Sequence, residues 1–141
     1  MTVGIVGLGL IGGSFAKAYH EAGATVLAWN RSRSVLDFAI MSGAVDAELT
    51  EDNIAACDLV LIALYPEATI EWFRRMAPHI GAHPVVLDCG GTKRTICAAC
   101  FPIAKEHGVT FLGGHPMAGT QYSGFKNAKA TMYHGAPMVI V

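Results

Sequence analysis

The sequence predicts an α/β domain of the doubly wound kind, with a mostly parallel sheet and helices on both faces. Three observations predict it. Short apolar, β-rich runs alternate with helical patterns along all 141 residues, as successive strand–helix units require. The run Leu59-Val60-Leu61-Ile62-Ala63 is apolar at every position, the pattern of a central strand buried on both faces. The first run is followed at once by the glycine-rich turn Gly7-Leu8-Gly9-Leu10-Ile11-Gly12, which opens a helix.

Each element follows from local signals. The first strand covers residues 3–6, in a run that begins at Thr2, and a helix is expected over 10–22, ended by Gly23. A second strand spans 25–29. A helix over 34–42 is closed by Gly43, and a short strand is expected at 44–45. A helical turn from Glu51 leads to the apolar strand at 59–63. Pro66 suits the first turn of a helix running to about residue 77. Then come a strand at 84–87, a helix at 94–107 and a strand at 109–112. From 113 to 135 no period holds, so mostly loop is expected, with one short helix. Residues 137–141 form a final strand, and more protein is expected beyond Val141, because the chain stops on an apolar residue without a turn or polar tail. A single domain, 1–141, accounts for the whole pattern.

Composition narrows the function classes. Ten basic residues against eleven acidic ones give a net charge of −1. No basic stripe exists for nucleic acid or an anionic membrane, so any bound anion must be held by local geometry. The apolar runs fall short of the ~20 residues needed to span a bilayer, and no secretory leader is expected before the first strand. A hydrophobic fraction of 52% and a mean hydropathy of +0.41 imply apolar area facing another domain or subunit. Cys57, Cys89, Cys97 and Cys100 read as core thiols of a reduced, cytoplasmic protein. Cys97 and Cys100 lie three apart on one helix face, but no second Cys/His pair accompanies them, so no metal site is expected.

The glycine turn gives the domain its ligand class. In this strand–turn–helix setting it marks a Rossmann-type dinucleotide site. Gly7 permits the tight turn, Gly9 lets backbone approach a pyrophosphate, and Gly12 lets the helix pack on the strand. The unpaired N–H groups at the helix start, including those of Leu10 and Ile11, face the negative charge. Ser14 reads equally as a phosphate donor or a packing residue. At the end of the second strand, where NAD sites usually place an acid, the chain has Asn30-Arg31-Ser32-Arg33. Asn30 suits a ribose hydroxyl. Arg31 and Ser32 offer donors to a 2′-phosphate, and Arg31 also suits stacking on adenine. The preferred cofactor is therefore NADP, with NAD possible, and Arg33 is turned outward if helical geometry holds.

Further residues collect outside the strand ends. Leu64 and Tyr65 are placed along the cofactor. Gly90 lies in Asp88-Cys89-Gly90-Gly91-Thr92-Lys93, and His115 in Gly113-Gly114-His115-Pro116-Met117-Ala118-Gly119-Thr120. Of six histidines, His115 is the catalytic candidate, because an imidazole there can take a hydroxyl proton as hydride leaves the same carbon. His20, His79, His83 and His107 are expected on helix bodies or ends, in solvated or capping roles.

Gly-Leu-Gly-Leu-Ile-Gly-Gly-Ser, then Asp-x-Gly-x-x-Lys, then Gly-Gly-His-Pro-Met-Ala-Gly-Thr-x-x-Ser-Gly resembles the prephenate/arogenate dehydrogenase family in order and spacing, across essentially the whole chain. The resemblance implies oxidative decarboxylation of prephenate, or the corresponding reaction of arogenate, in tyrosine biosynthesis. It implies that His115 accepts the ring-hydroxyl proton, that Thr120 and Ser123 lie near nicotinamide and substrate, and that Lys93 is either structural or functional. Family members commonly carry serine where this chain has Gly91, and Thr92 or a water takes that place here. The resemblance also implies a C-terminal helical domain, absent from these residues, that makes a homodimer and completes the substrate pocket. The isolated chain is then expected to bind cofactor and turn over little. Other readings are a β-hydroxyacid dehydrogenase or imine reductase, whose phosphate turns usually read Gly-x-Met-Gly, and a non-catalytic nicotinamide sensor.

Overall fold

A computed structural model of the chain describes residues 1–90, 93–116, 128 and 138–140, with the backbone alone for 115–116 and 138–140. The elements are β1 (Thr2–Val6), α1 (Leu10–Glu21), β2 (Thr25–Trp29), α2 (Arg33–Met41), β3 (Ala47–Glu48), a single 3-10 turn (Ile54–Ala56), β4 (Leu59–Ile62), α3 (Pro66–Ile80), β5 (Val85–Asp88), α4 (Lys93–His107), β6 (Thr110–Pro116) and β7 (Met138–Ile140). They form one sheet in the order β3-β2-β1-β4-β5-β6-β7. Strands β1 to β6 run parallel, and β7 pairs antiparallel with β6. The fold is the expected Rossmann-type α/β architecture.

Two cores hold the layers together. On one face Trp72, Phe73, Met76 and Ile80 of α3 and Ile96 and Cys100 of α4 pack on Val60, Ile62, Val86 and Phe111. On the other, Ala16, Leu36 and Ala39 of α1 and α2 cover Val3, Ile5, Val26, Ala28 and Leu61. Within the first core the rings of Phe73 and Phe111 meet at 4.8 Å, and complete burial of a side chain that size contributes about 1.5–3 kcal/mol. The four cysteines are buried free thiols. Burial pushes the Cys57 thiol up to about 11, and the Asp58 charge pushes it the same way.

Two aspartates close the bottom of the sheet by the same device. Asp46 and Asp58 each precede a strand by one residue. The Asp46 carboxylate accepts the Val26 N–H at 2.8 Å while its own N–H donates to the Val26 carbonyl. Asp58 makes the same reciprocal pair with Thr2, also at 2.8 Å. The Thr2 N–H, and then His83 at 2.9 Å, hold the Asp58 carboxyl below its ordinary range. These bonds satisfy donors at strand starts that the ladder leaves open.

Several expectations are corrected. The short third strand is Ala47–Glu48, not 44–45. The N–H groups of Ala44 and Val45 turn back to the Ala39 carbonyl at the end of α2, so these residues are buried without joining the ladder. Helix α3 continues past 77 through Pro78 to Ile80. His83 is not on a helix; it lies in the turn before β5, paired with Asp58. Strand β6 runs on to Pro116, so residues 113–116 are strand rather than loop. Residue 128 lies against α1, its carbonyl accepting the Lys17 ammonium at 2.9 Å. Among the described residues, no helix is long and apolar enough to cross a membrane.

Candidate functional site

The strand order reverses between β1 and β4, with β2 and β3 on one side and β5 and β6 on the other. A crevice forms where loops leaving the sheet part in opposite directions. Every described residue predicted for the site lies at this carboxyl edge.

The phosphate turn is fixed by its glycines, each for a different reason. Gly7 has φ +94°, and a Cβ there would stand 2.5 Å from the Ala63 carbonyl oxygen, so the turn is pressed against the end of β4. At Gly12 a Cβ would penetrate the Gly7 carbonyl and stand 3.3 Å from Ile5. Gly9 differs: among the described residues, nothing lies within 4 Å of the place its Cβ would take. It caps α1 with no side-chain hydrogen bond, and the first turn carries no acid. The first intrahelical bond closing on the cap is Gly13 N–H to Gly9 carbonyl. The N–H groups of Gly9, Leu10, Ile11 and Gly12 therefore have no acceptor one turn back. Open space over a glycine beside uncapped donors fits a phosphate. Ser14 is buried, and its hydroxyl donates to the Leu10 carbonyl at 2.7 Å; the packing reading is the one its position favours.

At the end of β2, Asn30 is partly buried and its carboxamide is engaged. Its Oδ1 accepts the Leu8 N–H at 2.9 Å and its Nδ2 donates to the Ser32 carbonyl at 3.1 Å. The ribose role expected of Asn30 takes no account of this tie, which spans 22 residues and leaves no local pattern. Arg31 and Ser32 are exposed, with the Ser32 and Ser34 hydroxyls 3.1 Å apart. Arg33 is directed elsewhere, pairing with Asp37 at 3.2 Å and Glu48 at 2.9 Å.

At the end of β4, Leu64 is partly buried beside Gly7, and its carbonyl accepts the Thr69 hydroxyl at 3.3 Å. Tyr65 caps α3 ahead of Pro66 and is 87% exposed. At the end of β5, Asp88 is fully buried, accepting the Gly90 N–H at 3.1 Å and forming an ion pair with Lys93. A Cβ on Gly90 would lie 3.7 Å from the Leu64 carbonyl, so these two loops adjoin. Burial, and then the Asp88 charge, pushes the Cys89 thiol up to about 12 despite the opposing Lys93 charge. The thiol is neutral and unsuited to nucleophilic work.

His115 is two residues beyond Gly113, the partner of Asp88, and its backbone pairs with Val139. The expected loop position is corrected to a strand. Gly91, Thr92, Thr120 and Ser123 lie outside the described residues.

Comparison with known proteins places this arrangement. The family model of the prephenate dehydrogenase nucleotide-binding domain matches residues 15–141. Prephenate dehydrogenase of Lactococcus lactis is 30% identical over 142 residues, covering 96% of this chain and 39% of that protein. The crystal structure of Synechocystis arogenate dehydrogenase matches with a TM-score of 0.89 at 25% identity, over 100% of this chain and 50% of its own. The Aquifex aeolicus prephenate dehydrogenase, solved with hydroxyphenyl propionate and NAD+, matches with a TM-score of 0.77 at 25% identity, again over 100% and 50%. The chain spans two fifths to one half of these relatives. The glycine turn precedes the family-model match but falls inside both full-length structural matches. The chain belongs to the prephenate dehydrogenase family, as its nucleotide-binding domain.

Proposed function

We propose that this chain is the cofactor-holding part of an NADP-preferring prephenate dehydrogenase. The observation that carries the reading is the open space over Gly9, beside uncapped helix donors at the switch point of a chain from this family. A nicotinamide dinucleotide supplies the hydride acceptor. Gly9, Leu10, Ile11 and Gly12 hold its pyrophosphate on the turn that Gly7 permits, while Leu64, Tyr65 and Gly90 line its path. Arg31 and Ser32, exposed at the end of β2 where no acid stands, receive the 2′-phosphate. His115 accepts the ring-hydroxyl proton of the substrate, and Thr120 and Thr92 assist the same reaction. As carbon dioxide leaves, the electron pair of the broken C–C bond passes into the ring, which becomes aromatic, and the ring oxygen takes its proton back from His115 to give 4-hydroxyphenylpyruvate. Arogenate is the second reading, favoured by the likeness to the Synechocystis enzyme.

The remaining length of the relatives leaves room for a helical domain that completes the substrate pocket and makes a homodimer. The 141-residue chain alone then binds cofactor with little turnover, and the cytoplasm is its compartment.

Calorimetric titration of the chain is expected to show tighter binding of NADP+ than of NAD+. Arg31→Ala should weaken NADP+ about tenfold, the value of one charge-assisted phosphate contact, and leave NAD+ nearly unchanged. Tighter NAD+ binding would remove the 2′-phosphate assignment. In the protein extended by its catalytic partner domain, His115→Ala should lower kcat for prephenate about a hundredfold. An unchanged kcat would take His115 out of the chemistry.

A further inference from the structure

We infer that Asn30 is a positioning residue for the pyrophosphate, not a ligand of the ribose. The inference rests on the nucleotide reading given above. Two successive N–H groups of the phosphate turn are committed to the end of β2: Gly7 donates to the Trp29 carbonyl at 2.8 Å and Leu8 to Asn30 Oδ1 at 2.9 Å. Leu8 is itself buried, at 2% exposure, so its N–H has no ready replacement partner in water. The other end of the carboxamide is tied to the Ser32 carbonyl. A carboxamide can do both because it carries an acceptor and donors on one planar group.

The consequence is a division of labour. With Gly7 and Leu8 turned toward β2, the donors left for an anion are those from Gly9 onward, and Asn30 fixes that facing. It also draws Ser32 toward the turn, joining the segment placed at the 2′ position to the segment placed at the pyrophosphate. The 2′ substituent is then read by Arg31 and Ser32. An aspartate at position 30 would keep the bond to Leu8 but would oppose a carboxylate to the Ser32 carbonyl. The second lone pair of Oδ1 and the second Nδ2 hydrogen are the routes by which a ribose hydroxyl would engage this carboxamide, and a ligand cycle detects either.

The test measures binding of NAD+ and of its analogue lacking the adenosine 2′-hydroxyl, by wild-type chain and by Asn30→Ala. If Asn30 acts through the turn, the variant weakens both ligands by the same factor, about tenfold. If Asn30 binds the hydroxyl, the analogue loses its sensitivity to the substitution, and the inference is overturned. Should Asn30→Ala fail to fold, Asn30→Leu, close in size and without a polar group, runs the same cycle: equal factors on the two ligands support the inference and unequal factors overturn it. Failure of the wild-type chain to bind NADP+ as well as NAD+ would instead remove the nucleotide reading, and this inference with it.

Discussion

Gly12→Ala is expected to destabilise the domain by about 3 kcal/mol or more, the upper end of overpacking costs, and to abolish dinucleotide binding. The added carbon would enter the Gly7 carbonyl and crowd Ile5, which is fully buried. Neither neighbour is the movable tip of a flexible side chain. Gly7 is held by the Trp29 carbonyl and pressed against Ala63, so the turn cannot retreat. Helix α1 must therefore lift from β1, taking with it the donors at its start. Gly9→Ala is the control. Its backbone, at φ −77°, accepts any residue, and its Cβ meets open space. Stability should fall by less than about 1 kcal/mol, since only the helix cap changes. Dinucleotide affinity should still fall more than tenfold, because the methyl group occupies the place assigned to the phosphate. Urea denaturation and calorimetry of the two variants separate the effects. Equal loss of stability in both, or full binding by Gly9→Ala, would dismiss this division between the glycines.

These glycines also show why much of the fold was legible in the sequence. The turn needs no partner distant in sequence beyond the strands that flank it; Gly7 and Gly12 answer steric demands, Gly9 leaves room for a ligand, and their spacing announces all three. The apolar run from Leu59 was equally plain, because a strand covered on both faces by α1 and α3 has no polar side. What escaped prediction was set by contacts between distant segments. Ala44 and Val45 look like an edge strand but are buried by helix C-terminal bonds to Ala39, while the true edge strand, Ala47–Glu48, carries no β signature. The continuation of β6 through Gly113 and Gly114 is masked by glycines and is defined by its antiparallel partner β7, some 25 residues on. For the site, the residue types at the end of β2 were visible, but the commitment of Asn30 to Leu8 was not. A side chain's freedom depends on what else it touches.

Asp88 and Lys93 carry the second large effect. Both belong to Asp-x-Gly-x-x-Lys, in which Lys93 is open to structural and functional readings; the geometry favours the structural one. Asp88 ends β5 with its side chain wholly buried, Lys93 begins α4 with its side chain 15% exposed, and the two form an ion pair. The Lys93 ammonium also reaches the Asp88 carbonyl at 3.4 Å. The pair thus clamps the loop that carries Gly90 from both ends, and the Gly90 N–H supplies the carboxylate with a further donor. Lys93→Met should cost about 3–5 kcal/mol, because it leaves a carboxylate buried with, among the described residues, one backbone N–H for company. That is a large share of the ~5–15 kcal/mol that holds a domain of this kind together. The attraction between the ions is not the source of the loss, since a buried pair gains little over well-packed neutral groups. Removing the charge should therefore recover most of it. In Asp88→Asn/Lys93→Met an amide oxygen still accepts from Gly90 while no ion remains, and the double variant is expected within about 1.5 kcal/mol of wild type. Urea denaturation of the two single variants and the double measures the coupling. A cost below 1 kcal/mol for Lys93→Met with its cofactor affinity intact would mean that the pair does not hold the loop. A double variant as unstable as Lys93→Met would mean that the ammonium stabilises through its bond to the Asp88 carbonyl, not by neutralising the Asp88 carboxylate.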